Sequence, residues 1–492
     1  MTYVLGVDVG SQSMKSVLLD PDGVPVGAGA HRLTMAHPHP GWAEQDPRHF
    51  EDGLAQLIVT TLADAGVGGK DVGVLNLASQ VDGVVPVAKD GAPLGAAIIW
   101  LDRRADVQVD AVSRKVGPDR LFEITGLVPD ASHSGPKIVW LREHDPESFA
   151  TAFAFPPVGG YLLYRLTKRL AIDHANASSS LLYDLRTRQW SDELLEAFDL
   201  SATQLGEILD ATDVAGTLTA EAAAMTGLST NCRVLVGTGD EHAGSIGAGA
   251  VGERLITDVT GTAEPVTIAS RALVLDRDGL VETHAHAMKD HYLIENPGFV
   301  SGGSTKWLAE NVLHVTQPEL FELAAAAPPG AEGVVFLPTL SGSMTPRWNG
   351  RMRGAFAGLA MGHTSATLAR AMLEGCAYGL RDITSRFAEL GLGDDEIRVV
   401  GGGAASDTWL QIKADVTGRP VRRVLVPEAT ALGAALLAGV AAGTFAELGD
   451  AVRRTVTIAE QPFVADSATA SLYDEGYARY RALFDGVEKA LS

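Results

Sequence analysis

Asp8 stands two residues ahead of the turn Gly10-Ser11-Gln12-Ser13, and Lys15 lies just beyond it. A glycine and two small hydroxyl residues let backbone N–H groups point at an anion, and a lysine adds charge. The adjacent carboxylate can hold Mg²⁺, a hard cation that prefers oxygen ligands and usually accompanies phosphate. The plain alternative is a hairpin capped by small residues. The pattern returns from Glu253 to Ile268, where two strands flank the turn Thr260-Gly261-Thr262-Ala263. Two halves that each open with strand, phosphate turn and strand describe a duplicated fold closing on one nucleotide.

Asp240 is the candidate for proton transfer. A buried strand from Val234 runs into Gly237 and Gly239, and Asp240 follows at the start of a small-residue helix. Glycines allow a ligand to approach closely, and a carboxylate there can accept the proton of a substrate hydroxyl. A helix N-cap is the alternative role. Further on, Val399-Val-Gly-Gly-Gly403 precedes a helix near Asp407. Three glycines let a flat base lie against backbone, though a simple βα turn also fits.

The elements that must position these residues are legible in the apolar pattern. Val4, Leu5, Val7 and Val9 form a strand buried on both faces, and Val17 to Leu19 form its return. The short strand Val74-Leu-Asn-Leu-Ala78 ends in Ser79-Gln80-Val81-Asp82-Gly83. Polar residues at the carboxyl end of a sheet strand are where α/β folds place ligands. A second strand runs into Trp100, Asp102 and Arg103, which offer an apolar face and hydroxyl partners; Trp100 in the core with a surface ion pair is the alternative. Asp46 caps a helix that has Pro47 in its first turn. Residues 105–200 read as helices with short strands, including a packing helix at Pro136-Lys-Ile-Val-Trp-Leu141 and a small-residue loop, Asp173 to Ser180, able to line a cleft. A long helix runs from about Ser365 to Leu390, and an amphipathic helix closes the chain from Ser471 to Leu491.

Composition bounds the function. The chain has 492 residues, enough for two or three domains, with 46% hydrophobic and 20% charged residues. A net charge of −22 argues against a nucleic-acid partner. Cys232 and Cys376 are the two cysteines, which suits a reducing cytoplasm and excludes a disulfide framework. No signal peptide is evident, and the uncharged run Ala429 to Ala446 is too rich in Ala and Gly for a membrane span, so it reads as a tightly packed helix. Gly247-Ala-Gly-Ala-Val-Gly252 matches a dinucleotide string but lacks the following helix, so it reads as tight packing. His284 and His286 share a strand face without a third ligand, which favours a structural role over a metal. No P-loop string occurs.

Taken together, the second phosphate turn, the segment from Gly237 to Asp240 and that from Gly401 to Asp407 resemble the FGGY carbohydrate kinases, the sugar-kinase branch of the actin, Hsp70 and hexokinase superfamily. Gly41-Trp42-Ala43-Glu44-Gln45-Asp46-Pro47, residues 336–346 and residues 353–359 resemble further family segments. The resemblance implies an α/β fold of two ribonuclease H-like, actin-like ATPase domains, residues 1–245 and 246–492, each with a mixed five-stranded sheet flanked by helices around a central cleft. It implies ATP and Mg²⁺, a small-molecule sugar partner, no nucleic acid, no membrane, a cytoplasmic location and an admissible homodimer. By the same resemblance, Asp240 is the catalytic base and Asp8 holds Mg²⁺. The sugar meets Gln80, Val81, Asp82, Trp100, Asp102, Arg103, Asp240 and Glu241. ATP meets Ser11, Gln12, Ser13, Lys15, Gly261, Thr262, Gly302, Lys306, Gly402, Gly403 and Asp407, and residues 427–435 complete the adenosine lobe. The expected reaction is phosphorylation of a ketopentose such as D-xylulose at the 5-hydroxyl. Val81, Asp82 and Glu241 depart from the xylulokinase pattern of Met, His and Asn, which keeps another ketose or a polyol of the ribulose, glycerol or erythritol type open. A non-catalytic nucleotide-dependent regulator is the alternative from another class.

Overall fold

The computed structural model describes residues 2–393 and 395–491. The first sheet contains β1 (Tyr3–Val9), β2 (Ser13–Leu19), β3 (Pro25–Arg32), β4 (Val72–Ser79), β5 (Val214–Thr217), β6 (Arg233–Leu235) and β7 (Thr238–Gly239). Its order is β5-β6-β4-β1-β2-β3, with β7 also paired to β4. The second contains β8 (Leu255–Val259), β9 (Val266–Ser270), β10 (Glu282–Ala285), β11 (Tyr292–Asn296), β12 (Glu396–Val400) and β13 (Val421–Arg423). Its order is β10-β11-β9-β8-β12-β13.

The two sheets share one five-strand core. In the first, β1 is antiparallel to β2 and parallel to β4, and β4 is parallel to β6. In the second, β8 is antiparallel to β9 and parallel to β12, and β12 is parallel to β13. The expected duplication is therefore present, but the sheets are wider than the five strands expected. Seven and six strands result because β5 and β7 extend the first core and β10 extends the second.

Side chains alternate across a strand with period two. Leu5, Val7 and Val9 pack with Phe50, Leu54 and Leu57 of helix α1 (Pro47–Ala65), which Asp46 caps as the sequence predicts. Val4 lies on the opposite face with Ala431, Ala435 and Leu436 from a helix late in the chain. The helices in chain order that matter here are α1, α2 (Ser134–His144), α3 (His174–Ser178), α4 (Asp240–Gly247), α5 (Gly302–Trp307), α6 (Ser365–Glu389), α7 (Asp407–Thr417), α8 (Ala429–Ala442) and α9 (Ala470–Leu491). The expected packing helix is α2, and the long and closing helices are α6 and α9. Residues 173–180 are not the open loop expected: Asp173 caps α3, and Ser178 Oγ donates to Ala175 O and accepts from Ala285 N.

The run expected to complete the adenosine lobe also joins the two halves. Helix α8 lies against β1, β2 and β4 of the first sheet and crosses α4. Its cluster includes Val4, Val17 and Leu19 of the first half and Val400, Val424 and Val452 of the second, so it ties the two halves together. At the crossing, a Cβ on Gly433 would fall 1.8 Å from Ala243 O, and one on Gly247 would fall 1.8 Å from Ala429 O. Backbone meets backbone there, and Gly247 of the rejected dinucleotide string is indeed a packing glycine. Among the described residues no helix is long and apolar enough to cross a membrane.

Candidate active site

The carboxyl ends of β1, β4 and β7 lie side by side. Asp8 pairs in register with Ala78, and Thr238 pairs with the same residue, so Asp8 and Asp240 emerge at one edge of one sheet. Asp8 Oδ1 is enclosed and has no hydrogen-bond partner among the described residues. Burial holds the Asp8 carboxyl well above its ordinary range, Asp240 adds to that, and Lys15 opposes it. An enclosed carboxylate oxygen lacking a donor is a fitting partner for a hard cation, so Asp8 suits Mg²⁺. Lys15 forms an ion pair with Glu428 at 2.8 Å, and so reaches from β2 to the residue that precedes α8.

Asp240 is not a helix cap. Gly239 is the N-cap residue, while Asp240 occupies the first helical position and its Oδ1 accepts the Glu241 N–H at 3.0 Å. Burial pushes its carboxyl up to about 7, two backbone hydrogen bonds oppose the rise, and Asp82 adds to it. The fold thereby makes it a better proton acceptor near neutral pH than an exposed aspartate. Glu241 is raised by burial and by the neighbouring Glu295, and Glu295 is pushed by burial up to about 8. Two buried carboxyls beside one another disfavour a charge on both.

Gln80 and Asp82 are held from below. Gln80 Nε2 donates to Gln45 Oε1 at 3.0 Å, and Gln45 Nε2 donates to Ser11 O at 2.8 Å, so the first turn and the β4 end share one brace. Val81 and Asp82 are half-buried, and Asp82 adopts φ +61°. That left-handed conformation disfavours most L-residues, though Asp tolerates it better than most. Lys137 Nζ donates to Asp82 O at 2.7 Å and also to Ser132 O, while His133 Nδ1 lies 3.4 Å from Asp82 Oδ1 and 2.8 Å from Ser179 O. Burial lowers the histidine, but Asp82, Glu282 and Asp130 together outweigh it and His133 rises to about 9. Burial lowers Lys137 to about 8. Neither residue stood out in the sequence. The available signal was a lysine inside the apolar stretch Pro136 to Leu141.

Residues 100–104 divide. Trp100 is 36% exposed and free to offer its ring. Arg103 is engaged by Asp130, with Nη2 to Oδ2 at 2.8 Å, and by Asp106. Asp102, expected at the sugar, is instead fully buried. Its Oδ2 accepts Ala43 N at 2.6 Å and Arg104 Nη2 at 2.7 Å, and its Oδ1 accepts Arg104 Nε at 2.8 Å. Arg104 then stacks on Trp42 at 3.6 Å and pairs with Glu44 at 2.7 Å. The segment from Gly41 to Pro47 is thus pinned by Asp102 and Arg104. Breaking a buried pair by removing one partner costs roughly 3–5 kcal/mol. Asp102→Asn is therefore expected to lower stability by that order in urea unfolding, with the effect on any acceptor KM following only from displacement of residues 41–47.

In the second half, the turn at 260–263 is clamped by backbone. Gly302 N donates to Gly261 O at 3.1 Å and Gly303 N to Thr262 O at 3.0 Å. A Cβ on Gly302 would fall 2.2 Å from Gly261 O, so glycine is needed for this approach. Thr262 and Lys306 are exposed beside it. Gly403 N donates to Thr260 O at 3.2 Å, which brings the triple-glycine turn to the same place, with Gly401 at φ +89° and Gly402 exposed. Asp407 does not cap α7. Ser406 Oγ does so by accepting Trp409 N at 3.2 Å, and Asp407 pairs with Arg423. His284 Nε2 lies 3.0 Å from Glu295 Oε1, and no group of three or more His, Cys, Asp or Glu among the described residues is arranged to hold a metal.

Comparison with known proteins agrees with this architecture. Models of the N-terminal and C-terminal domains of the FGGY family of carbohydrate kinases match residues 3–247 and 258–442. A glycerol kinase from Thermococcus kodakarensis is 32% identical over 451 residues, covering 90% of this chain and 89% of the relative. A xylulose kinase from Escherichia coli is 30% identical over 481 residues, covering 98% of each. The crystal structure of a xylulose kinase from Rhodospirillum rubrum superposes with a TM-score of 0.91 at 27% identity over 99% of both chains. The two sheet-and-helix units are the two actin-like halves of that fold, and the chain belongs to the FGGY family of carbohydrate kinases, phosphotransferases with an alcohol group as acceptor.

Proposed function

We propose that the protein transfers the γ-phosphate of ATP to a primary hydroxyl of a neutral polyhydroxylated substrate, with a ketopentose such as D-xylulose, phosphorylated at the 5-hydroxyl, as the leading candidate. The observation that carries this reading is the placement of Asp8 and Asp240 at adjacent ends of one sheet, the first with an unpartnered oxygen and the second raised towards neutrality. Residues 1–245 would form the acceptor side and residues 246–492 most of the donor side. The turn at 10–13 and the turn at 260–263 would face the phosphates, with Ser11, Gln12, Ser13, Lys15, Gly261, Thr262, Gly302 and Lys306 near them and Gly402, Gly403 and Asp407 near the adenosine. Asp8 would hold Mg²⁺ through water. Mg²⁺, when bound, offsets charge on the phosphate oxygens. Asp240 takes the hydroxyl proton as that oxygen attacks the phosphorus in line, and backbone amides at the turns stabilise the transferred group.

The polar groups of the acceptor end suit a polyhydroxylated substrate. Asp82 adds to the rise of the Asp240, Glu282 and Glu295 carboxyls, and His133 and Lys137 hold it from the other side. Carboxyl groups accept hydrogen bonds from sugar hydroxyls, and a protonated one also donates. A polyol is the second reading, favoured by Asp82 and Glu241 and by the similarity to a glycerol kinase. The test is ADP release with Mg-ATP across ketopentoses, ketohexoses, polyols and aldonates. One neutral acceptor is expected to raise the rate at least tenfold above the control without acceptor. ADP binding with no acceptor stimulating release would favour a nucleotide-dependent regulator, and an aldonate as best substrate would overturn the neutral-substrate reading.

A further inference from the structure

A second buried cluster of charges lies behind the turn at 260–263. Lys413 on α7 is fully enclosed, and its Nζ donates to Asp258 Oδ2 at 2.6 Å, Thr260 Oγ1 at 2.6 Å and Glu264 Oε1 at 2.9 Å. Thr260 Oγ1 donates in turn to Asp258 Oδ1 at 2.9 Å. One ammonium thus joins residues on both sides of the turn. Burial pushes the Glu264 carboxyl up to about 7, Asp258 adds to the rise and Lys413 opposes it. The Trp409 ring, 5.0 Å from Nζ, and the buried Cys376 thiol of α6 complete the surroundings. Buried ion clusters seldom stabilise a fold more than well-packed apolar groups of the same volume. Stability alone is a poor reason for this one.

The internal duplication supplies a better reason. Asp258 pairs with Val399 where β8 runs parallel to β12, as Asp8 pairs with Ala78 where β1 runs parallel to β4. Each aspartate is the penultimate residue of the first strand of its core. Asp258 is therefore the counterpart of Asp8 in the other half. Their environments are opposite. Asp8 Oδ1 has no partner among the described residues, while both oxygens of Asp258 are engaged, one by Lys413 and one by Thr260. The lysine ammonium occupies, beside Asp258, the role that a bound cation would take beside Asp8. The same cluster reaches the nucleotide side through Thr260, whose carbonyl accepts Gly403 N.

We propose that Lys413 is the resident cation of the second phosphate turn: a positioning residue whose ammonium, clamped to Asp258, Thr260 and Glu264, fixes residues 260–263 and the Gly403 turn in the geometry that receives nucleotide phosphates without a metal ion there. This inference rests on the donor site proposed above. It is tested by ADP binding in calorimetry, with Mg²⁺ and with EDTA, beside the KM values for ATP and acceptor. Lys413→Met removes the ammonium. The triple variant Lys413→Met/Asp258→Asn/Glu264→Gln removes all three charges together, leaves none unpaired, and is the one to use if the single variant does not fold. Wild type is expected to bind ADP in both conditions. The folded variant is expected to bind at least tenfold more weakly in both, with KM for ATP rising in step and KM for the acceptor within twofold of wild type. A folded variant with wild-type ADP affinity overturns this inference and leaves the donor site standing. Wild-type binding abolished by EDTA overturns the metal-free role. A wild type that binds no ADP in either condition overturns the donor-site reading and this inference with it.

Discussion

Asp240→Asn is expected to lower kcat by about 10²–10⁴-fold, the usual worth of a positioned general base, while ADP binds as tightly as to wild type. The variant should also be at least as stable as wild type at pH 8. The reason lies in the sign of the shift. Burial raises the Asp240 carboxyl to about 7. A carboxylate whose folded pKa lies above its unfolded value binds protons more tightly in the folded state, so folding loses stability as pH rises from the unfolded value through the folded one. At pH 8 the folded protein holds an ionised, partly desolvated group, and asparagine removes that cost. Activity and stability then move in opposite directions, which a merely structural aspartate would not produce. Thermal unfolding beside steady-state kinetics reads both. A loss of kcat under tenfold would remove Asp240 from the reaction. A matching fall in unfolding temperature would recast it as structural.

The second large effect concerns the crossing of α4 and α8. Gly433→Ala should destabilise the protein by about 3 kcal/mol or more, at or above the top of the usual range for overpacking. Helix propensity argues the other way, since alanine gains about 1 kcal/mol over glycine in a helix interior. The geometry decides the contest. The new Cβ would lie 1.8 Å from Ala243 O, a backbone atom that no rotamer change can move. Helix α4 must shift, and Asp240 lies at its N-terminus. Gly252→Ala is the matched control: nothing lies within 4 Å of its Cβ position, and a change there should stay within about 0.5 kcal/mol. Urea unfolding of both variants gives the comparison. A neutral or stabilising Gly433→Ala would mean that the two helices do not meet backbone to backbone.

What the sequence made legible was what local patterns encode. The apolar run from Val4 to Val9 with its polar turn, the cap at Asp46, the stripe of α6 and the closing helix α9 all follow from periodicity and capping within one segment. The duplication was legible because two turns share a shape. The sheet widths were not, because β5, β7 and β10 have only four, two and four residues, too few for an alternating pattern to show. Nor was the role of Asp102, since which way a side chain points at the end of a strand depends on what folds against it. Here that is Ala43, 59 residues away. His133 and Lys137 were missed for the same reason: they meet Asp82 across about 50 residues of chain. The fate of α8 is the sharpest case. A helix late in the sequence packs on the first sheet, and nothing in its Ala- and Gly-rich composition says which half it serves.

The most direct measurement follows the γ-phosphate itself. With the acceptor chosen by the panel, a single turnover of ATP labelled at the γ-phosphorus is quenched and the products are separated, for wild type and for Asp240→Asn. The predicted result places the label on the primary hydroxyl oxygen of the acceptor in wild type, with unlabelled ADP and no labelled protein, and shows almost no transfer in the variant over the same interval. Label in inorganic phosphate regardless of acceptor, label retained on the protein, or equal transfer by the variant would each contradict direct in-line transfer assisted by Asp240.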